Sequence, residues 1–355
     1  MQLGIIGLPQ SGKTTIFNTL TRGTQPISSS AGRMEVHTAI VDVPDARLDR
    51  LHEMFAPRKK VHAKVTYAEF AGLEGGAKTE IAGALLNQLS QMDGFILVLR
   101  CFEEENVPHL LGSIDPQRDL HLMEEEFILN DQIKVEKKIA ALQEETQKGG
   151  GREKAHIARE LALFERLLHA LQENQPLRNL TFTAEEEKAL SGFGFLSKKS
   201  ILLLLNVGEG QTPPALVYEQ PASRIVDLQG KLEMEIAQLP SDEAQVFLKE
   251  YGIEELGLQR LIHISYELLG LRSFFTVGDD EVRAWTVHEG ATAPEAAGVI
   301  HTDMQQGFIR AEVVVYDDLI ALGGYAGARA QGKLRLEGKN YIVQDGDVIT
   351  IRFNI

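Results

Sequence analysis

Gly7-Leu8-Pro9-Gln10-Ser11-Gly12-Lys13-Thr14 fits the spacing G-x-x-x-x-G-K-[ST]. Gln2 to Gly7, apolar at Leu3, Ile5 and Ile6, reads as a short buried strand leading into it. Thr15 to Leu20 follows with Ile16, Phe17 and Leu20 at helical spacing. Strand, glycine loop and helix in that order are the context of a phosphate-binding loop. The chemistry needs these residue types. Glycines let successive N–H groups turn inward on phosphate oxygens, and the helix N-terminus adds partial positive charge. Lys13 supplies a mobile point charge for the β- and γ-phosphates, and the Thr14 hydroxyl is a hard oxygen ligand for Mg²⁺. Gly7, Gln10, Ser11, Gly12, Lys13, Thr14 and Thr15 are therefore expected to hold the nucleotide, with Lys13 also catalytic. The bland alternative is a glycine-rich turn with a surface lysine.

Hydrolysis needs a second acid on the metal side after a strand, usually in Asp-x-x-Gly. Glu69-Phe70-Ala71-Gly72 follows the strand-like Val65 to Ala68 and takes that place. Glutamate is one methylene longer, so Glu69 is expected to hold a Mg²⁺-bound water. Gly72 is grouped with the nucleotide-binding residues. The next residue, Leu73, stands where Ras-like enzymes carry the glutamine that orients the attacking water. A base-reading loop is expected after a late buried strand, and Ser200 to Leu205 leads into Asn206-Val207-Gly208-Glu209. GTPases use Asn-x-x-Asp there, whose carboxylate accepts two donors from guanine. Glu209 is too long to be a plain substitute, and adenine offers no such donor pair. Asn206, Val207 and Glu209 are assigned to the base, with either ATP or GTP as substrate.

These residues need a sheet to hold them. Strand-like runs recur at Val36 to Val43, Val61 to Phe70, Gly94 to Phe102, Ser200 to Val207 and Ser223 to Leu228, with helical stretches such as Thr79 to Met92 between them. Such alternation predicts an α/β fold with a mostly parallel sheet. It stops near Asp119. Ile128, Val135, Ile139 and Leu142, then Ile157, Leu161, Phe164, Leu168 and Leu171, form apolar stripes on either side of Gly149-Gly150-Gly151. Two heptad-patterned helices around a triple glycine predict an antiparallel hairpin that packs mainly on itself. After about Leu271, short strands and turn signals such as Asp345-Gly346 predict a small β-grasp-like α+β domain. The expected division is residues 1–119 and 198–271 for the nucleotide domain, 120–197 for the hairpin and 272–355 for the C-terminal domain.

The 355 residues carry a net charge of −15, which disfavours non-specific binding to phosphate backbones, so free nucleic acid is not an expected partner. Cys101 is the single cysteine, so no internal disulfide can form and a reducing compartment is favoured. The N-terminus lacks a basic region of the signal-peptide kind, and no apolar run approaches the ~20 residues of a membrane helix. The expectation is a cytoplasmic protein with no membrane partner.

Several segments resemble the YchF/OLA subfamily of Obg-related P-loop proteins, and the similarity covers nearly the whole chain. They are Gly7-Leu8-Pro9, Val43-Pro44-Asp45-Ala46-Arg47-Leu48, Ala71-Gly72-Leu73, Arg100-Cys101-Phe102-Glu103, Asp115-Pro116-Gln117-Arg118-Asp119 and Asn206 with Glu209. The most specific block is C-terminal: Glu281 to Thr286, Gly290 to Pro294, Ala297 to Asp303, Gly307 to Glu312 and Val343 to Asp347 are similar to a TGS-type domain. The resemblance implies a nucleotide-binding domain, an inserted helical hairpin and a TGS domain. It further implies hydrolysis of ATP as well as or better than GTP, and association with ribosomes. It also implies a catalytic histidine in the loop after the Arg-Cys-Phe strand, a place that His109 matches, and a hydrophobic residue where Leu73 stands. Three departures surround Mg²⁺ and the γ-phosphate: Gln10 replaces a P-loop asparagine, Glu69 replaces an aspartate, and the stretch from Ser28 to Glu35 lacks a switch threonine. The leading expectation is a slow Mg²⁺-dependent ATPase/GTPase switch. Its rival is a nucleotide-binding interaction protein that has largely lost hydrolysis, and a small-molecule kinase is the weakest reading because no acceptor motif is visible.

Overall fold

The computed structural model describes residues 1–23, 35–71, 83–148, 153–218, 220–250 and 257–354. The strands are Gln2–Ile6 (β1), Glu35–Asp42 (β2), Lys59–Val61 (β3), Lys64–Ala71 (β4), Gly94–Arg100 (β5), Ser200–Asn206 (β6), Ser223–Leu228 (β7), Leu271–Val277 (β8), Glu281–His288 (β9), Phe308–Val315 (β10), Arg335–Glu337 (β11) and Asp347–Phe353 (β12). The helices that matter for the site and its frame are Lys13–Thr21 (α1), Ala46–Phe55 (α2), Gly83–Ser90 (α3), Pro116–Lys148 (α4), Lys154–Gln172 (α5), Ala184–Leu190 (α6) and Gly230–Gln238 (α7).

Six strands form one sheet in the order β2-β4-β1-β5-β6-β7. β1 runs parallel to β4 and β5, β5 to β6, and β6 to β7, so the expected α/β fold with a mostly parallel sheet is present. All of β5 and nearly all of β6 are buried, as continuous apolar strands covered on both faces should be. Their side chains meet Leu85 and Leu89 of α3 and Leu120, Met123 and Phe127 of α4 in one core. Register then does the positioning. Ile5 lies beside Glu69, Arg100 beside Asn206, and Asn206 beside Leu228. The loops leaving β1, β5, β6 and β7 therefore start at one edge, the C-terminal edge of the parallel strands, where such sheets bind ligands.

The stretch read as a single strand from Val61 to Phe70 divides in two. β3 pairs with β9 of another sheet, and only Lys64 onward belongs to β4. The chain turns between them, where the Val43 N–H donates to the Ala63 carbonyl at 2.8 Å and the His62 ring lies 3.2 Å from the Val43 carbonyl.

α4 and α5 pack on each other as the predicted hairpin; its triple glycine lies outside the described residues. Ile128, Val135, Ile139, Leu142, Ile157, Phe164 and Leu171 form its core. Leu163 and Leu167, which the heptad reading passed over, are buried there, while Leu161 and Leu168 are only partly covered. The reason is that the hairpin also packs against Leu177, Leu190, Phe193 and Phe195, which widens the buried stripe of α5.

By compactness the chain forms two units, Met1–Ala39 with Thr66–Leu258, and Ile40–Val65 with Gln259–Ile355. The second holds a mixed six-stranded sheet, β11-β10-β12-β8-β9-β3, and the helix Ala293–Ile300, an α+β arrangement. Its core includes Phe274, Val287, Ala296, Val313 and Ile349. Residues 40–65, expected with the nucleotide domain, group with this unit instead.

Candidate nucleotide site

The loop between β1 and α1 can be made only with glycine at its ends. Gly7 and Gly12 take φ values of 149° and 97°, in the left-handed half of backbone space. A Cβ at Gly7 would lie 2.4 Å from the Val98 carbonyl oxygen, and one at Gly12 would lie 2.1 Å from Asn206 Nδ2. Gln10 is left-handed at φ 62° without being glycine, a conformation that costs roughly 1 kcal/mol or more. The first helical hydrogen bond, Ile16 N–H to the Gly12 carbonyl at 2.9 Å, leaves the N–H groups before it without helical partners, as at every helix start. Lys13 is buried, and its ammonium donates to the carbonyls of Gly7 and Leu8 at 3.0 and 2.9 Å. The lysine charge thus lies across the mouth of its own loop. Ser11 is buried too, with its hydroxyl free of hydrogen bonds among the described residues.

Register brings Glu69 to this loop. Its carboxylate is only 1% exposed. The Thr14 hydroxyl donates to Glu69 Oε1, while Oε2 has no hydrogen-bond partner among the described residues. Leaving such an oxygen buried and unpaired is unfavourable by about 1–3 kcal/mol. A hydroxyl beside an orphaned carboxylate oxygen is a donor set of hard oxygens, which suits Mg²⁺ directly or through a water. Gly72 and Leu73 lie outside the described residues, as does the stretch from Ser28 to Met34.

Asn206, at the end of β6, is buried and ties two elements together. Its Nδ2 donates to the Ser11 carbonyl at 3.0 Å, and its Oδ1 accepts from the Gly230 N–H at 3.2 Å. Val207 N–H donates to the Leu228 carbonyl at 3.0 Å. Beyond it, the Gln211 N–H returns to the Gly208 carbonyl at 3.1 Å, closing a turn with Glu209 and Gly210 at its corners and Gly210 at φ 66°. Glu209 is exposed at that corner.

His109 has both ring nitrogens engaged. Leu111 N–H donates to Nδ1 at 3.1 Å, so the ring proton sits on Nε2, which donates to Asp119 Oδ2 at 2.9 Å. The two side chains are 4% and 3% exposed. Arg118 binds the other oxygen of Asp119 and the Ser113 carbonyl, and Asp115 caps the start of α4 by accepting from the Arg118 N–H. Arg100 holds the front of the same loop, donating to the carbonyls of Phe102 and Val107, with its guanidinium 4.6 Å from the Phe102 ring centre. Burial holds the Arg100 pKa down, and burial likewise raises the Cys101 thiol to about 12, which keeps it a neutral thiol.

Of the residues that the sequence assigns to the nucleotide, the structure brings the glycine loop, Glu69 and Asn206 together through Thr14 and Ser11. The sequence reading missed Asp119, Arg118 and Gln211. Asp119 and Arg118 stood in a recognised motif with no role attached, and nothing in the sequence joins Gln211 to its partner near residue 101.

A family model described as YchF-GTPase_C, a protein of unknown function (DUF933), matches residues 271–354. Over the whole chain, the "Ribosome-binding ATPase YchF" of Bacillus subtilis is 40% identical, covering 99% of each protein. The Haemophilus ducreyi protein of the same name is 41% identical over the same shares. Among solved structures, that of the Schizosaccharomyces pombe YchF GTPase superposes with a TM-score of 0.85 at 28% identity, covering 99% of this chain and 97% of that one. With a glycine loop, a buried lysine and an Asn-x-x-Glu turn on one sheet edge, and with this full-length similarity, the chain belongs to the YchF family.

Proposed function

We propose that this protein is a Mg²⁺-dependent nucleoside triphosphatase that converts ATP or GTP to the diphosphate and phosphate, and that it works as a slow switch on the ribosome. The ribosomal part comes from its relatives' name, and the chemical part from its own residues. The observation that carries it is the buried Lys13 ammonium at the α1 N-terminus, beside the Thr14–Glu69 pair with its orphaned oxygen. In this reading Lys13 exchanges two carbonyls for phosphate oxygens, which bind it more strongly because both partners are charged. The N–H groups from Gln10 to Thr15 surround the phosphates. Thr14 would hold the metal through its hydroxyl oxygen, and Glu69 would hold it through a water. When bound, Mg²⁺ would neutralise charge on the β- and γ-phosphate oxygens. Asn206, Val207 and Glu209 are assigned to the base loop, in which Asn206 braces the turn against Ser11 and Gly230, and Gly72 is grouped with the nucleotide-binding residues.

We assign residues 1–39, 66–119 and 198–258 to the nucleotide domain, 120–197 to the inserted hairpin and 272–355 to a TGS-like domain whose unit also takes in residues 40–65, in a cytoplasmic protein. No helix among the described residues is long and apolar enough to cross a membrane. The second reading, a nucleotide-gated binding protein with little hydrolysis, is favoured by one observation: His109 is docked on Asp119 with neither nitrogen free for a substrate. Phosphate release from ATP and GTP, with and without Mg²⁺, decides between them. Mg²⁺-dependent release that stops in His109→Ala supports the enzyme. Tight nucleotide binding without release supports the gated binder.

A further inference from the structure

Gln211 lies outside the Asn-x-x-Glu motif, yet its side chain bridges two loops. Its Oε1 accepts from the Gly208 N–H at 3.0 Å, and its Nε2 donates to the Cys101 carbonyl at 2.8 Å. The first bond closes the Glu209 turn a second time, in parallel with the backbone bond between Gln211 and Gly208. The second bond pins that turn to the end of β5, where Cys101 N–H already donates to the Asn206 carbonyl at 2.9 Å. A side chain at position 208 would meet Gln211 Oε1 at 3.0 Å, so the glycine leaves room for the amide to sit over the turn.

The turn therefore has two pins. Asn206 fixes its near end to the P-loop through the Ser11 carbonyl, and Gln211 fixes its far end through the Cys101 carbonyl. Glu209 stands between them, exposed, at a corner of the turn. The Gly210 N–H to Gln229 Oε1 contact, at 3.4 Å, is too long to hold the far end by itself. Hydrogen-bond selectivity for a base depends on an acceptor lying within a few tenths of an ångström of its partner. We propose that Gln211 is a specificity-determining positioning residue, which sets the preference for adenine over guanine by fixing where the Glu209 carboxylate stands. The inference rests on the reading of residues 206–209 as the base loop. It separates two jobs: the phosphate grip of Lys13 is independent of Gln211, while the choice of base is not.

Calorimetric titration with ATP and with GTP tests it on the full chain and three variants. Gln211→Ala removes both bonds. Gln211→Met keeps the length without either bond. Gln211→Glu keeps the acceptor for Gly208 and loses the donor to Cys101. The expected result is a wild-type preference for ATP that shrinks toward unity by about threefold to tenfold in all three, the equivalent of about one neutral hydrogen bond. Thermal unfolding should shift by only a few degrees, the cost of about one or two exposed-loop hydrogen bonds. An ATP:GTP affinity ratio that stays within about twofold of wild type in all three variants overturns the proposal, as does a wild type with no preference. Lys13→Ala and Asn206→Ala, titrated alongside, separate the two failures. If they weaken binding while the Gln211 variants leave the ratio intact, only the brace is wrong. If they bind as wild type does, the nucleotide site itself is misassigned.

Discussion

In the proposed reading, the length of the Glu209 side chain sets the choice between bases. An Asn-x-x-Asp loop penalises adenine because its carboxylate would face the ring N1, an acceptor, where guanine presents a donor; an unpaired polar atom in a built site is costly. The same reading has the longer Glu209, at its exposed corner, relax that penalty. Glu209→Asp is expected to move the ATP:GTP preference toward GTP by about 1–3 kcal/mol. Competition binding checks this, and strong wild-type selectivity for GTP, unaltered by the substitution, would mean that another element reads the base. At this scale the sequence was most legible where chemistry is local. The spacing of Gly7, Gly12, Lys13 and Thr14 carries a backbone requirement that the left-handed φ values at Gly7 and Gly12 meet. It was least legible where a side chain acts across the fold. Gln211 and Cys101 are joined only once β5 and β6 lie side by side, and His109 gains its partner Asp119 only once α4 begins beneath it.

Elements hold the site through a few buried polar anchors, and Asp131 of α4 is the most demanding of them. It is fully buried and accepts from the N–H groups of Leu196 and Ser197 and from the Ser197 hydroxyl, so it fixes the chain just before β6. Burial raises its pKa from 3.8 to about 6 against the pull of those hydrogen bonds. Protonation therefore favours the folded state. The stability this gives is full below about pH 4 and is lost as pH rises through about 6. Measured by denaturant unfolding, wild type minus Asp131→Asn should fall by roughly 2–3 kcal/mol between about pH 4 and pH 7.5. A difference that stays flat or rises with pH would contradict the assignment. Sequence periodicity found α4 and α5 because their stripes repeat over many turns, yet it rotated α5 slightly. The extra buried positions, Leu163 and Leu167, are set by distant residues such as Phe193 and Phe195 that no local window contains.

Over the whole molecule, the segment least legible in the sequence is 40–65. It reads as part of a βαβ succession, and local pattern cannot say which sheet a short strand will join. Yet β3 runs along the edge of β9, and α2 buries Leu48 and Leu51 completely. Arg47 bridges Asp45 and Asp345 with its guanidinium 5.2 Å from the Phe275 ring centre, and those two carboxylates raise its pKa despite the opposing effect of burial. The span matched by the family model, 271–354, lacks β3, α2, Asp45 and Arg47. Expressed alone, that fragment should show poorly dispersed amide resonances and a broad thermal transition; a cooperative melt at the temperature seen in the full chain would show that residues 40–65 add nothing to it.

The central claim is that the loop around Lys13 holds and cleaves a nucleoside triphosphate, and it is tested most directly by phosphate release from purified wild type and Lys13→Ala with Mg²⁺ and ATP. With Leu73 where Ras-like enzymes carry a glutamine and Glu69 in place of an aspartate, wild type is expected to turn over at about 10⁻⁴ to 10⁻² s⁻¹, the range of small GTPases without a partner. Lys13→Ala should be folded and silent, because it removes the charge that offsets the phosphates. Equal phosphate release by wild type and Lys13→Ala would contradict the account.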